Sequence, residues 1–84
     1  MTDGPKLQPV TLTVPDHLPD LPWAVLSRDG LYGGWQVYLT AQDQCEADNL
    51  AEDHSARTSI RHLAVPVVRQ SVEGQMRRCV QVSA

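Results

Sequence analysis

The alternation of apolar and polar residues along this chain predicts several short β-strands. Residues 10–14 alternate valine or leucine with threonine, which is typical of a strand with one buried face. The apolar run at residues 23–27 predicts a second strand. Between the two, residues 15–22 contain three prolines, and proline lacks a backbone donor and disfavours helix in the residue before it. We therefore expect an extended connector between the first two strands.

A third strand is predicted to return alongside the second. The Asp-Gly pair at residues 29–30 is a strong turn signal, and residues 31–39 then read as a strand. The Gly-Gly pair at residues 33–34 indicates a bulge or a second bend at its start. With a period of two, one face of this strand carries Trp35, Val37 and Leu39. Tyr38 is expected on the opposite face.

An amphipathic helix is predicted at residues 41–54. Thr40 is a good N-cap, and Asp43 would hold its carboxylate near the positive end of the helix. At 100° per residue, one narrow stripe of side chains is expected to face the sheet: Ala47, Leu50, Ala51 and His54. The outward side of the helix carries four carboxylates: Glu46, Asp48, Glu52 and Asp53.

The last third of the chain predicts two more strands. Residues 60–72 are rich in β-branched side chains and read as one strand with apolar residues on both faces, although Pro66 indicates an edge position or a bulge. A turn is expected at Glu73 and Gly74, and residues 76–82 alternate as a final strand.

The order of elements, β-β-β-α-β-β, predicts an α+β fold. We expect a small, mostly antiparallel sheet with one amphipathic helix packed on one face. A chain of 84 residues is short for two domains, so residues 1–84 are expected to form a single domain, with residues 1–8 loosely ordered.

The composition of the chain indicates the cellular compartment in which the protein acts. No apolar run approaches the roughly 18–20 residues of a membrane span, and the first residues lack the basic and then apolar pattern of a secretory signal. Two cysteines are too few to staple a secreted mini-protein. We expect both to be reduced thiols, with Cys79 semi-buried and Cys45 on the helix surface. A cytoplasmic protein without membrane contact is therefore predicted.

Charge is distributed unevenly along the chain. The net charge is −3, but residues 29–56 carry six acidic residues and no Lys or Arg, whereas residues 57–84 carry five arginines and one acidic residue. Opposite patches of this kind steer partners toward a surface. The same charges could also neutralise one another within one fold, and the sequence does not decide between partner binding and internal neutralisation.

Residue types that carry chemistry are present, but not at the spacing that catalysis or metal binding needs. No Cys-x-x-Cys or His-x-x-x-His pair occurs among the residues of ligand type: His17, Cys45, His54, His62 and Cys79. Asp53, His54 and Ser55 follow one another, but neighbours on a helix point about 100° apart and cannot form a relay. There is no glycine-rich phosphate loop. We expect no enzyme activity, no metal and no cofactor.

Binding is the remaining class of function. We expect a non-enzymatic protein-binding module that acts on a larger protein with a basic surface, because carboxylates spaced along a helix can occupy sites built for phosphates. By analogy of size and charge alone, the nearest class is that of phage or mobile-element inhibitors of host nucleic-acid-processing enzymes or CRISPR-type defence proteins. The predicted partner-binding residues are the four helix carboxylates and two aromatic residues: Glu46, Asp48, Glu52, Asp53, Trp35 and Tyr38.

The alternative is a small nucleic-acid-binding protein that uses an arginine-rich C-terminal hairpin. Its predicted contact residues are Arg61, Arg69, Arg77 and Arg78. Arg61 and Arg69 are eight residues apart and would share one face of an uninterrupted strand. Nucleic-acid-binding modules are usually basic overall, and the isoelectric point near 5.4 argues against this alternative.

Self-association is also expected. One helix covers only one face of a sheet, so the other face needs a second protomer, a partner or the N-terminal residues. A proline-marked edge strand adds a second reason to seek cover. The sequence therefore favours a homodimer over a monomer by a small margin.

Overall fold

The computed structural model describes residues 9–28 and 34–83, and this part of the chain forms six strands and one helix. In chain order these are β1 (Pro9–Thr13), β2 (Trp23–Ser27), β3 (Gln36–Ala41), α1 (Gln44–Thr58), β4 (His62–Pro66), β5 (Val68–Val72) and β6 (Gln75–Ser83). The strands form two antiparallel sheets, in the orders β1-β6-β5 and β3-β2-β4. The α+β class with antiparallel pairing and one helix is confirmed. The expected turn at residues 29–30 and the loose residues 1–8 lie outside the described residues.

The helix and the two sheets stack in three layers, with the β3-β2-β4 sheet in the middle. Because β2 is the central strand of this sheet, residues 24–27 are all buried. The core between the sheets is built from Val14, Ala24, Leu26, Val65, Val80 and Val82. The core under the helix is built from Val25, Ala41, Ala47 and Ala51. Successive residues of β2 thus contribute to opposite cores, as the alternation of a strand requires.

The second sheet covers the face of the middle sheet that the helix leaves open. Val80 and Val82 of β6 pack against Ala24 and Leu26 of β2. Of the three covers that the sequence allowed, the N-terminal residues are the correct one in part: Leu12, Val14 and Leu18 pack into this core beside β6, so the chain supplies the cover itself.

The predicted strand at residues 60–72 is two strands in two different sheets. Its first half, β4, pairs with β2, and its second half, β5, pairs with β6. The division falls at Pro66, which lacks a backbone donor, and at Val67, whose N–H donates to the carbonyl of Pro22 at 2.8 Å. Of the two predictions for Pro66, an edge position or a bulge, the edge position is correct, since β4 is an outer strand of the middle sheet, and the chain crosses to the other sheet directly after it.

A β-bulge at Tyr38 reverses the alternation of β3. Successive residues of β2 pair with Leu39 and Val37, so the pairing skips Tyr38. As a result, Trp35 and Val37 pack against the core between the sheets, whereas Leu39 packs against the core under the helix. The expectation that these three residues share a face is wrong for Leu39, because an extra residue in one strand changes which side the following residues face.

The helix begins three residues later than predicted. Thr40 is still part of β3, and its hydroxyl donates to the carbonyl of Pro19 at 3.0 Å. The N-cap is Asp43, whose carboxylate accepts a hydrogen bond from the Glu46 N–H at 2.8 Å. The Glu46 carboxylate in turn accepts from the N–H of Gln42 at 3.3 Å, so the first turn is closed much as in a capping box.

The helix also ends later than predicted, at Thr58 rather than at His54. Ser59 follows in the left-handed region, with φ of 59°, and its N–H donates to the carbonyl of Ser55 at 2.9 Å. The predicted inward stripe is correct in phase: Ala47 and Ala51 are buried, and Leu50 and His54 are half-buried.

The proline-rich connector is tied to the second sheet by Arg78. This guanidinium donates to the carbonyls of Pro15, Leu18 and Pro19 at 2.9 to 3.0 Å, and the Arg78 side chain is 12% exposed. Leu18 itself packs against the core between the sheets. The prediction that the connector is extended is wrong for its first half, because the Leu18 N–H donates to the Pro15 carbonyl at 3.2 Å and closes a turn. The connector also closes one end of the core.

The β5–β6 hairpin and the two thiols agree with the sequence predictions. Glu73 and Gly74 form the two-residue turn, and both have positive φ, 53° and 81°, as in a type I′ hairpin turn. Cys45 is exposed and Cys79 is buried, and neither is in a disulfide.

Candidate functional site

The outward side of α1 carries the predicted carboxylates, and all four are exposed. They lie on two flanks of the helix. Glu46 and Asp53 flank the half-buried Leu50, while Asp48 and Glu52 lie on the other side of the helix axis. The helix therefore presents negative charge across its solvent-facing half.

Two of the four carboxylates are engaged within the chain. Glu46 helps to close the first turn of the helix by accepting from Gln42. Asp53 pairs with Arg57 one turn later, at 2.9 Å, and both side chains are largely exposed. Asp48 and Glu52 form no ion pair with any other described residue. These two acidic side chains are available to a partner without loss of an internal contact.

A shallow depression lies on the Glu46 flank of the helix. Its lining residues are Asp43, Cys45, Glu46, Asn49, Leu50 and Asp53. Leu50 and the carbon atoms of its neighbours make most of the lining apolar, and the carboxylates provide negative charge. A basic side chain with an apolar stem, such as Lys or Arg, matches both properties.

Three aromatic rings from three elements meet beside the end of the helix. The ring of Tyr38 on β3 lies edge-on to His54 of α1 and to His62 of β4, with centroids 5.1 and 5.7 Å away. The two imidazoles lie 5.6 Å apart. Tyr38 is 48% exposed, so the cluster is open to solvent on the tyrosine side.

Ser55 contacts His62 in this region, but the pair has the wrong polarity for a nucleophile and its base. The Nδ1 atom of His62 lies 2.7 Å from the carbonyl of Ile60, which can only accept, so Nδ1 carries the proton. The Ser55 hydroxyl lies 3.4 Å from the same Nδ1, and it accepts a hydrogen bond from the backbone N–H of His62 at 2.9 Å. Because Nδ1 is protonated, it cannot take a proton from Ser55. In the Asp53-His54-Ser55 run, Asp53 pairs with Arg57 and the ring of His54 contacts Tyr38.

Trp35 and Tyr38 do not share a surface. Trp35 is half-buried against the core between the sheets, and the guanidinium of Arg28 lies 5.7 Å from its ring centroid. Tyr38 faces the helix side of the same sheet, where it meets His54. The structure therefore brings Tyr38 beside the acidic helix and leaves Trp35 on the far side of the sheet.

The four arginines of the alternative site are not gathered on one surface. Arg78 is bound to the connector, and Arg69 pairs with Asp20 of that connector at 2.8 Å. Arg61 precedes β4 in the middle sheet, while Arg69 lies on β5 in the other sheet, so the predicted shared face of Arg61 and Arg69 does not exist. Arg77 is exposed and donates to Gln75 at 3.2 Å.

Two features of this region were missed from the sequence. The first is the aromatic cluster, which the sequence pattern could have predicted. His54 belongs to the predicted inward stripe of the helix, and His62 lies on the same side of β4 as Ala64, which packs under the helix. The second is the use of Arg69 and Arg78 to hold the connector. No local pattern predicts that contact, because Asp20 and Arg69 are 49 residues apart.

Within residues 9–28 and 34–83, no group of three or more His, Cys, Asp or Glu side chains is arranged to hold a metal ion. In the same part of the chain, no helix has the length and apolarity required to cross a bilayer. The chain matches no protein-family model, no curated protein and no solved structure.

Proposed function

We propose that this protein is a non-enzymatic protein-binding module that docks through the outward side of α1 onto a basic surface of a larger protein. The observation that carries the proposal is the pair Asp48 and Glu52, which are exposed carboxylates with no ion pair elsewhere in the described residues. A rigid helix with uncompensated carboxylates attracts a basic partner and directs its approach.

The positions of the arginines also favour docking through the acidic helix over nucleic-acid binding. A nucleic-acid site needs guanidinium groups that are free to reach phosphates. Arg78 and Arg69 are engaged with the connector, which leaves two exposed arginines of this set, Arg61 just before β4 and Arg77 on β6 in the other sheet. The alternative of a nucleic-acid-binding protein thus has less support than the acidic helix.

The class of partner follows from the charge pattern. A surface that normally holds a nucleic-acid backbone is basic, and carboxylates on a helix can occupy its phosphate sites. We therefore propose inhibition of a nucleic-acid-processing or CRISPR-type defence protein as the biological role, by analogy of size and charge. The two unpaired thiols fit a reducing compartment, and we propose the cytoplasm.

The test compares an acid-neutralised variant with an arginine-neutralised one. The first carries Asp48→Asn, Glu52→Gln and Asp53→Asn, and it leaves Glu46 in place because Glu46 caps the helix. The second carries Arg61→Gln and Arg77→Gln, and it leaves the connector contacts intact. Both sets are exposed, so both variants are expected to fold, with unfolding free energies within about 1 kcal/mol of the original chain.

Binding is measured by calorimetry against the partner captured from the native host and then purified. The acid-neutralised variant should bind roughly tenfold more weakly at low salt, and the arginine-neutralised variant should bind normally. Direct binding to a labelled oligonucleotide that weakens steeply with salt, and that is lost in the arginine-neutralised variant, would instead establish the alternative.

A further inference from the structure

Tyr38 is held in one orientation while nearly half of its surface remains open. Its ring contacts His54 and His62 edge-on, at 5.1 and 5.7 Å between centroids, and its side chain is 48% exposed. The two histidines come from different elements, α1 and β4, so the position of the tyrosine depends on the folded helix–sheet packing. An aromatic side chain fixed in this way loses little conformational entropy when a partner covers it.

The bulge in β3 places Tyr38 and Leu39 on the same face of the middle sheet. In a regular strand, Tyr38 would still face the helix side, opposite Val37, but Leu39 would face away from the helix. Because the pairing with β2 skips Tyr38, both Tyr38 and Leu39 lie on the helix side. Bulges commonly re-aim a side chain next to a functional surface.

The helix beside Tyr38 is acidic, so the group that covers the tyrosine ring is expected to be positively charged. His54, the nearest ring to Tyr38, belongs to this helix, whose residues 44–58 carry four carboxylates against one arginine, Arg57. The net negative charge of the helix attracts cations to the surface that includes the exposed side of Tyr38. Among protein cations, guanidinium is planar and weakly hydrated and stacks on aromatic faces, whereas ammonium is compact and strongly hydrated.

We infer that Tyr38 is the aromatic anchor of the docking surface and that it receives an arginine side chain of the partner. The inference rests on the proposed function and adds the identity of the recognised side chain. The carboxylates of α1 attract basic segments of any composition, and Tyr38 selects arginine over lysine.

The test uses two synthetic probes of equal charge, nona-arginine and nona-lysine, with binding followed by calorimetry at low salt. Four proteins are compared with the original chain: Tyr38→Ala, Tyr38→Phe, the acid-neutralised variant and Met76→Ala. Met76 is 64% exposed on β6, in the other sheet, and serves as a matched control for the loss of an exposed apolar side chain. Circular dichroism of each variant confirms that the fold is retained.

The original chain should bind nona-arginine about threefold more tightly than nona-lysine. Tyr38→Ala should lose this preference, while its affinity for nona-lysine should equal that of the original chain within error. Tyr38→Phe should keep the preference, since stacking requires the ring and not the hydroxyl. Met76→Ala should behave as the original chain does.

Two different results would overturn the inference. If both peptides bind equally and Tyr38→Ala changes neither, Tyr38 is not an anchor; a loss of binding in the acid-neutralised variant would then leave the proposed function standing. If neither peptide binds, or if the acid-neutralised variant binds both as well as the original chain, the acidic helix itself does not recognise basic segments, and the inference fails with the proposed function.

Discussion

At the scale of single residues, Arg78 is a charged side chain that stabilises the fold instead of contacting a partner. It lies on β6 opposite Arg69 of β5, and both point to the connector. The carbonyls it contacts belong to the connector, where the prolines at 15, 19 and 22 cannot donate hydrogen bonds of their own. A multidentate guanidinium holds such a segment well, because its five donors lie in one plane.

Replacement of Arg78 by alanine should destabilise the fold by about 2–4 kcal/mol, since its hydrogen bonds from a charged donor are lost and the Leu18 carbonyl keeps no other hydrogen bond among the described residues. Arg78→Lys should recover only part of this, because an ammonium cannot span the three acceptors. The free energy of unfolding in urea is the measurement. The neighbouring Arg77→Ala, at an exposed position, is the control and should stay within about 0.5 kcal/mol. Equal stability of the two alanine variants would contradict the assigned role.

The two cysteines should differ in reactivity, because Cys45 is exposed and Cys79 is fully buried. A chromogenic thiol reagent should label Cys45 quickly in the native protein and Cys79 only after addition of denaturant. Cys45→Ser identifies the fast site. Rapid native labelling of two thiols per chain would show that β6 is not packed as described.

At the scale of elements, the start of α1 shows competition between two capping residues. Thr40 has the right chemistry for an N-cap, but it pairs with Ala24 in the β2–β3 ladder and bonds to Pro19. Asp43 is the next suitable residue, and it has the extended backbone of an N-cap. Tertiary pairing thus moved the helix start, although the local signal at Thr40 was sound.

Loss of the cap at Asp43 should cost about 1 kcal/mol, so Asp43→Ala should lower the urea midpoint while Asp43→Ser should nearly restore it. Asp48→Ala removes a carboxylate from an exposed site farther along the same helix and is the matched control. If Thr40 were the true cap, Asp43→Ala and Asp48→Ala would be equally mild.

At the scale of the whole molecule, the three-layer arrangement changes the argument for self-association. Both faces of the middle sheet are covered within the chain, by α1 and by the second sheet. The outer strands, β3 and β4 in one sheet and β1 and β5 in the other, each pair with a single neighbour among the described strands. Any dimer contact of the backbone would therefore involve strand edges rather than an open sheet face.

A homodimer stays a prediction on that narrower basis. Sedimentation equilibrium over a wide range of concentration should show a mass that rises from one chain toward two. The acid-neutralised variant is a useful comparison, because an edge contact does not depend on the outward side of α1. A mass of one chain at every concentration would exclude the homodimer.

Local patterns predicted most elements because their causes are local. The threonine alternation before Pro15, the Glu73-Gly74 turn and the phase of the inward stripe around Ala47 each depend on neighbours within a few residues. The exposed carboxylates Asp48 and Glu52 were predictable for the same reason, since they lie off the apolar stripe of the helix.

By itself, the sequence determined the α+β class, the strands and their turn, one helix with an acidic outward side, and two unpaired thiols of different burial. Only the tertiary structure decided that the strand through Pro66 divides between two sheets, that a bulge at Tyr38 turns Leu39 to the helix side, and that Arg69 and Arg78 hold the connector. The physical reason is sequence distance. Periodicity and capping act over one to four residues. The acceptors of Arg78 lie about sixty residues away along the chain, and the partners in the β2–β4 pair lie 35 to 43 residues apart, so both are chosen by packing.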